Sequence, residues 1–313
     1  MSLVCSRRLR HARRWVALWT FAFLAVGLPA FAQAGPADQA CGREAASTLP
    51  ARPSGAPTGT DFARSVSALN EDDREAAIRD QLLLGNIPAF LRHLTPVNLA
   101  WQLPGEGLVH LTFCVLPDYL AIGSDSDFLL TPMRLATALT VAGKYGFILP
   151  TAKMVDAIYE QSAVHLVPQP LPAGDHMRST DYYRHHNELV GEQRAARGGL
   201  LGLLTAGDKK DLVITNRLWS NLERVAIYGW HKPDHNPIQP LSTVHGARYA
   251  DYSHGVRLVS GTVYVDGAAR PIVDVLSDPK LSRALNSEGA IARLTDLLAT
   301  LAAVRLPPHS GLR

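Results

Sequence analysis

The greatest density of side chains able to do chemistry lies between His231 and His254, in "HKPDHNPIQPLSTVHGARYADYSHG", which holds four histidines, two aspartates and three prolines. One chemistry this permits is nucleophilic: Ser253 would attack a carbonyl, His245 or His254 would take its proton, and Asp251 would orient the imidazole. No Gly-x-Ser-x-Gly elbow surrounds that serine. A second is metal chemistry, with His231, His245, Asp251 and His254 as ligands to a zinc ion that lowers the pKa of a bound water. Their spacing differs from His-Glu-x-x-His. In a third reading the histidines and tyrosines only satisfy backbone groups and one another. Tyr249 and Arg257 are placed to hold a substrate or an oxyanion. Proline restricts the backbone, and so would help to hold such groups in one arrangement.

Other segments offer contributors from a distance. "PDYLAIGSDSDFLLTP" gathers Asp118, Asp125 and Asp127 around Gly123, as a second half of the site or as an Asx-rich turn. "GDKKDLVIT" puts Lys209 and Lys210 at a turn before a strand, and Lys209 is taken with Asp118 as a substrate-binding group. His185 and His186 are adjacent on a helical pattern, so only one of them can face inward.

The elements that must position these groups are of both kinds. "NEDDREAAIRDQLLLGN", "TPMRLATALTVAGKYG", "LPTAKMVDAIYEQS", "STDYYRHHNELVGEQRAARGG" and "SEGAIARLTDLLATLAAV" have helical periodicity with start and stop residues. "VNLAWQL" and "LVHLTFCVL" read as a strand pair around "PGEG", "DLVITNRL" and "RVAIYGW" as further strands, and "VRLVSGTVYVDGAARPIVDVL" as antiparallel strands turning at "DGAA". Strands and helices come in uneven groups. The pattern predicts an α+β fold with a central, largely antiparallel sheet and packed helices in a single domain over 61–313. The chemical segment would then be a long loop between two strands.

The N-terminus sets an expected compartment. Five arginines, Arg7, Arg8, Arg10, Arg13 and Arg14, precede the apolar run "WVALWTFAFLAVGLPAF" and the small residues of "AFAQA". This reads as a secretory signal peptide over 1–32, cleaved after Ala32 or Ala34, with a retained anchor as the alternative. Its removal takes five of 31 basic residues and leaves 26 against 28 acidic ones, so the mature chain has no basic surplus for nucleic acid. Residues 33–60 are small, polar and rich in proline and glycine, and are expected to form a flexible leader. Cys5 leaves with the signal, and Cys41 and Cys114 then have one intramolecular pairing open to them in an oxidising compartment.

Segments across most of the mature chain, "GNIPAFLRHLTPV", "PDYLAIGSDSDF", "LPTAKMVDAIY", "GDKKDLVITNRLW", "YGWHKPDHNPIQPL" and "YADYSHGVRLV", resemble a group of uncharacterised exported bacterial proteins. That resemblance implies a single unit and no particular activity. "HGARYADYSHGVRL" also resembles the His-Gly and Ser-His-Gly-x-Arg pieces of the L,D-transpeptidase signature, whose nucleophile is a cysteine after the second His-Gly. Val256 stands in that place, so the thiolate chemistry is absent. His245 with Asp251 is similar to the His and Asp zinc ligands of D-Ala-D-Ala peptidases, at a spacing one residue shorter and without the downstream Trp-His element. The resulting expectation is a periplasmic or secreted hydrolase acting on peptide or amide bonds of cell-envelope material, with no membrane span after signal cleavage. The rivals are a secreted ligand-binding protein and a structural envelope protein.

Overall fold

The computed structural model describes residue 41 and residues 49–304. The expected signal segment over 1–32 lies outside them, as does most of the expected leader before residue 49.

Helix formation follows local chemistry. In α1 (Gly59–Val66) the Thr58 hydroxyl accepts from the Asp61 amide, and in α2 (Glu71–Leu83) the Asn70 carbonyl oxygen accepts from the amides of Asp72 and Asp73. Both devices satisfy amide groups that the first turn leaves without partners, and the three acidic residues opening α2 suit the positive end of its dipole. Ser179 caps α5 (Thr180–Ala196) and Thr151 caps α4 (Ala152–Glu160). The remaining helices are α3 (Leu135–Lys144), α6 (Ile272–Ser277), α7 (Ser282–Leu285) and α8 (Leu294–Ala302). α6 corrects the sequence reading: "PIVDVL" is a helix begun after Pro271, whose fixed φ suits a helix entry, and not the end of a strand.

The larger sheet has the order β1 (Thr95–Leu103), β2 (Gly107–Val115), β12 (Val259–Val265), β13 (Ala268–Pro271), with β5 (Phe147–Ile148) also on β12. All its pairings are antiparallel. A smaller sheet has the order β10 (Pro237–Ser242), β9 (Ile227–His231), β8 (Lys210–Leu212), β11 (His254–Gly255). There β11 runs parallel to β8 while β9 is antiparallel to both its neighbours. Two further pairs, β3 (Ala121–Ser124) with β4 (Asp127–Leu130) and β6 (Val164–His165) with β7 (Thr205–Ala206), complete an α+β fold that forms one body. Leu111, Phe113 and Val115 of β2 pack with Val259 and Val263 of β12 in a continuous buried core. The amides of Leu116 and Leu120 donate to Leu258 O and Val256 O, which joins the two sheets through one strip of backbone.

Two expectations change. The connection from His231 to His254 is not one long loop, because "PIQPLS" forms β10 and pairs with β9. Its two prolines are tolerated because β10 is at the sheet edge, where a missing donor costs no ladder bond. Residues 49–60, expected in the flexible leader, are docked: Leu49 is buried, the Arg52 guanidinium donates to Asn86 and to Pro57 O, and α1 has already begun at Gly59. Their few apolar and charged groups find partners on the domain. Cys41 is tied by a disulfide to Cys114 at the end of β2, 73 positions further along the chain. In chain-entropy terms a loop of that length stabilises the fold by about 4 kcal/mol. Among the described residues no helix is long and apolar enough to cross a membrane.

Candidate functional site

The smaller sheet and its flanking turns carry most of the candidate residues. β8 and β11 lie side by side, His254 opposite Lys210 and Gly255 opposite Asp211, so "GDKKDL" and "DYSHG" meet although more than forty residues separate them. Gly255 makes that approach feasible. A Cβ there would stand 2.6 Å from the Tyr119 ring and 2.7 Å from Lys209 Cβ, well inside van der Waals contact.

Asp251, Ser253 and His254 are buried together, with His245 and Tyr249 half-buried beside them. Asp251 Oδ1 accepts from the Ser253 amide at 2.8 Å and its hydroxyl at 2.6 Å, and Oδ2 accepts from the Tyr249 hydroxyl at 2.9 Å. His254 Nε2 stands 4.0 Å from Asp251 Oδ2. The ring of His245 is stacked on Tyr249 at 4.1 Å, 6.2 Å from the His254 ring. Burial tends to raise the Asp251 pKa, but His254 and the Ser253 hydrogen bonds outweigh it, so the carboxylate stays ionised. For His254 burial dominates, pushing its pKa down to about 4 against the pull of Asp251. Burial also lowers the pKa of His245. Both imidazoles are therefore neutral at pH 7 and able to take a proton.

The serine triad is not assembled. The Ser253 hydroxyl donates its hydrogen bond to Asp251 rather than to a histidine, in a local turn-type bond that carboxylates make with residues two positions on. Neither nitrogen of His254 has a hydrogen-bond partner among the described residues, although the ring is fully buried. His231 is elsewhere. Its Nε2 is 3.0 Å from Asp156 and its ring is stacked on Tyr159 of α4 at 4.5 Å. Among the described residues no three His, Cys, Asp or Glu side chains are arranged to hold a metal ion, so the zinc set His231, His245, Asp251 and His254 does not fit.

Three expected substrate-binding groups are engaged inside the fold. Asp118 is paired with Arg194 and also accepts from the Tyr119 amide. Arg257 lies over the Tyr119 ring at 4.2 Å and donates to the carbonyls of Leu116 and Thr205. Lys209 Nζ is 3.0 Å from His186 Nδ1 and 2.7 Å from Tyr252 O. These groups, with Asp208 and Asp211, form a charged interior behind the site. Burial and the nearby Asp118 push Asp208 up to about 6 against three cations, and burial pushes Asp211 up to about 7 despite Arg257. Burial pushes Lys209 down to about 8. Asp125 and Asp127 do not form a cage: they accept from the Phe90 amide and from Thr60.

The structure separates the two lysines that the sequence offered together and adds Trp230, which the sequence reading passed over. Lys210, not Lys209, is the half-buried lysine, with its ammonium 4.9 Å from the centre of the Trp230 ring. Trp230 has φ +59°, a conformation that is rare for a bulky residue and costs about 1–3 kcal/mol. Its amide donates to Lys209 O, and its ring lies 6.4 Å from both His186 and Tyr252. The available sequence signal was the pair of lysines beside the aspartates; the Trp230 backbone had none.

No family model, curated protein or solved structure matches this chain.

Proposed function

We propose that the chain is an exported hydrolase of peptide or amide bonds in cell-envelope material, with His254 and Asp251 at its reacting centre. The observation that carries this reading is the buried, neutral His254 ring beside an ionised carboxylate, with both of its nitrogens unpartnered. A histidine kept for packing would have its polar atoms paired, since a buried unsatisfied group costs about 1–3 kcal/mol.

In the proposed reaction His254 takes a proton from water as the water oxygen bonds to the carbonyl carbon. Asp251, 4.0 Å away, stabilises the imidazolium that forms. The imidazolium then protonates the nitrogen as the C–N bond breaks, giving a free acid and an amine. Tyr249 holds Asp251 in place by its hydroxyl, and His245 forms the half-buried side of the approach. Ser253 acts as a positioning residue on Asp251. Export is supported by the signal-like N-terminus and by the Cys41–Cys114 disulfide.

The test is to incubate the purified chain with cross-linked muropeptides in ¹⁸O-labelled water and follow products by mass spectrometry. Products carrying one ¹⁸O in a new carboxylate, absent with His254→Ala, support the reading. Intact substrates with measurable binding would instead support a ligand-binding protein.

A further inference from the structure

The aromatic cluster of Trp230, His186 and Tyr252 has a consistent hydrogen-bonding sense. The indole Nε1 of Trp230 is buried without a partner among the described residues, and indole can only donate. The Nε2 of His186 is likewise buried and unpartnered. Lys209 fixes its role: the ammonium donates to Nδ1 at 3.0 Å, so the proton of the neutral ring resides on Nε2 and that atom too is a donor. Burial, aided by the adjacent Lys209 charge, keeps His186 from taking a second proton by pushing its pKa down to about 2.

A cation stands beside these donors. Lys210 Nζ lies 4.9 Å from the Trp230 ring centre, and among the described residues no carboxylate is within ion-pair distance of it. The backbone that carries Lys210 is paired with His254, so this cation and the proposed base stand on neighbouring strands in register. Tyr252, whose ring is 5.1 Å from His186 and 6.4 Å from Trp230, supplies an apolar flank. Its hydroxyl is already used, by the Leu171 amide.

We propose that Trp230, His186 and Lys210 form a carboxylate-binding subsite that seats the free C-terminal carboxylate of a peptide substrate beside His254. Two neutral N–H donors and one ammonium match the two oxygens and single charge of a carboxylate. The aromatic rings match the apolar side chain next to it. The strained Trp230 backbone belongs to the same device, since it turns the indole toward His186 while His231, the next residue, faces α4. The assignment rests on the hydrolase reading for the word substrate, but binding can be measured without turnover.

The experiment is a calorimetric titration of the intact chain with N-acetyl-dialanine as the free acid and as its C-terminal amide. The acid should bind at least about tenfold more tightly than the amide, a ratio typical of losing one charge-assisted contact. Lys210→Met should abolish that preference, and Trp230→Phe should weaken the acid while leaving the amide unchanged. Thermal unfolding of each variant checks its fold, and the comparison of acid with amide on the unaltered chain needs no variant. His254→Ala should lose hydrolysis but keep the acid preference, so failure of the reaction and failure of the subsite are told apart. Equal binding of acid and amide, no heat from either at millimolar concentration, or an acid affinity untouched by Lys210→Met in a folded variant would each overturn the subsite. So would inorganic phosphate binding as tightly as the acid.

Discussion

Two groups of histidines in this protein are built around a tyrosine, and they are finished differently. Around Tyr159, His165 and His231 flank the ring at 4.5 Å each, and His235 meets its edge at 5.5 Å. Each of these histidines has an oxygen within hydrogen-bond reach: Tyr159 O for His165, Asp156 for His231 and Glu160 for His235. Around Tyr249, His245 is stacked on the ring and His254 approaches its edge, but His254 has no hydrogen-bond partner among the described residues. The same residue types thus make a satisfied aromatic cluster in one place and a cluster with an unsatisfied ring in the other. Pairing of the ring nitrogens, not the number of histidines, is what distinguishes the two clusters.

The comparison breaks most sharply under substitution. His254→Ala should lower the rate on muropeptides by about 10²–10⁴-fold, the usual contribution of a general base, while His231→Ala should leave the rate within about twofold. Steady-state kinetics of the two variants side by side checks this. The next effect is on stability. Arg194→Met would leave Asp118 as an uncompensated buried charge and should cost about 3–5 kcal/mol, seen as a lower midpoint in urea.

Acidity sharpens the contrast further. The His254 pKa is about 4 in the fold and about 6.5 when the chain is unfolded, so the unfolded chain binds more protons between those values. The contribution of His254 to stability is complete above about pH 6.5 and is lost as pH falls toward 4. Asp208 and Asp211, raised to about 6 and 7, act in the opposite sense over the same window and favour the fold at the acid side. His254→Gln removes only the first of these contributions. The melting temperature of the variant relative to that of the unaltered chain should therefore rise as pH falls from 7 to 4, as differential scanning calorimetry would show. The smallest effect is in the satisfied cluster: Asp156→Ala removes the acceptor of Tyr228 and His231 from a half-exposed position and should cost about 1 kcal/mol with no change in rate.

Much of the architecture was legible from local patterns. Asn70 with its acidic followers announced α2, "PGEG" marked the β1–β2 turn, and His186 was the buried member of its pair as helical geometry required. The grouping of Asp251, Ser253 and His254 was also legible, because residues so close in sequence have little room to separate. His231 was misplaced by the assumption of one loop. It ends a strand in which successive residues face opposite ways, so Trp230 turns to His186 while His231 turns to Tyr159. The roles of Asp118, Lys209 and Arg257 depended on contacts across the chain that no local pattern encodes. The parallel pairing of β8 with the two-residue β11 is of the same kind, and it is what brings Lys210 to His254.

The measurement that bears most directly on the account is the protonation state of His254, read from the ¹⁵N shifts of its ring in the folded chain between pH 5 and 8. The account predicts a neutral ring throughout that range, with a change in its ¹⁵N shifts when a peptide acid is added. An imidazolium at pH 7, or ring nitrogens indifferent to the added peptide, would contradict it.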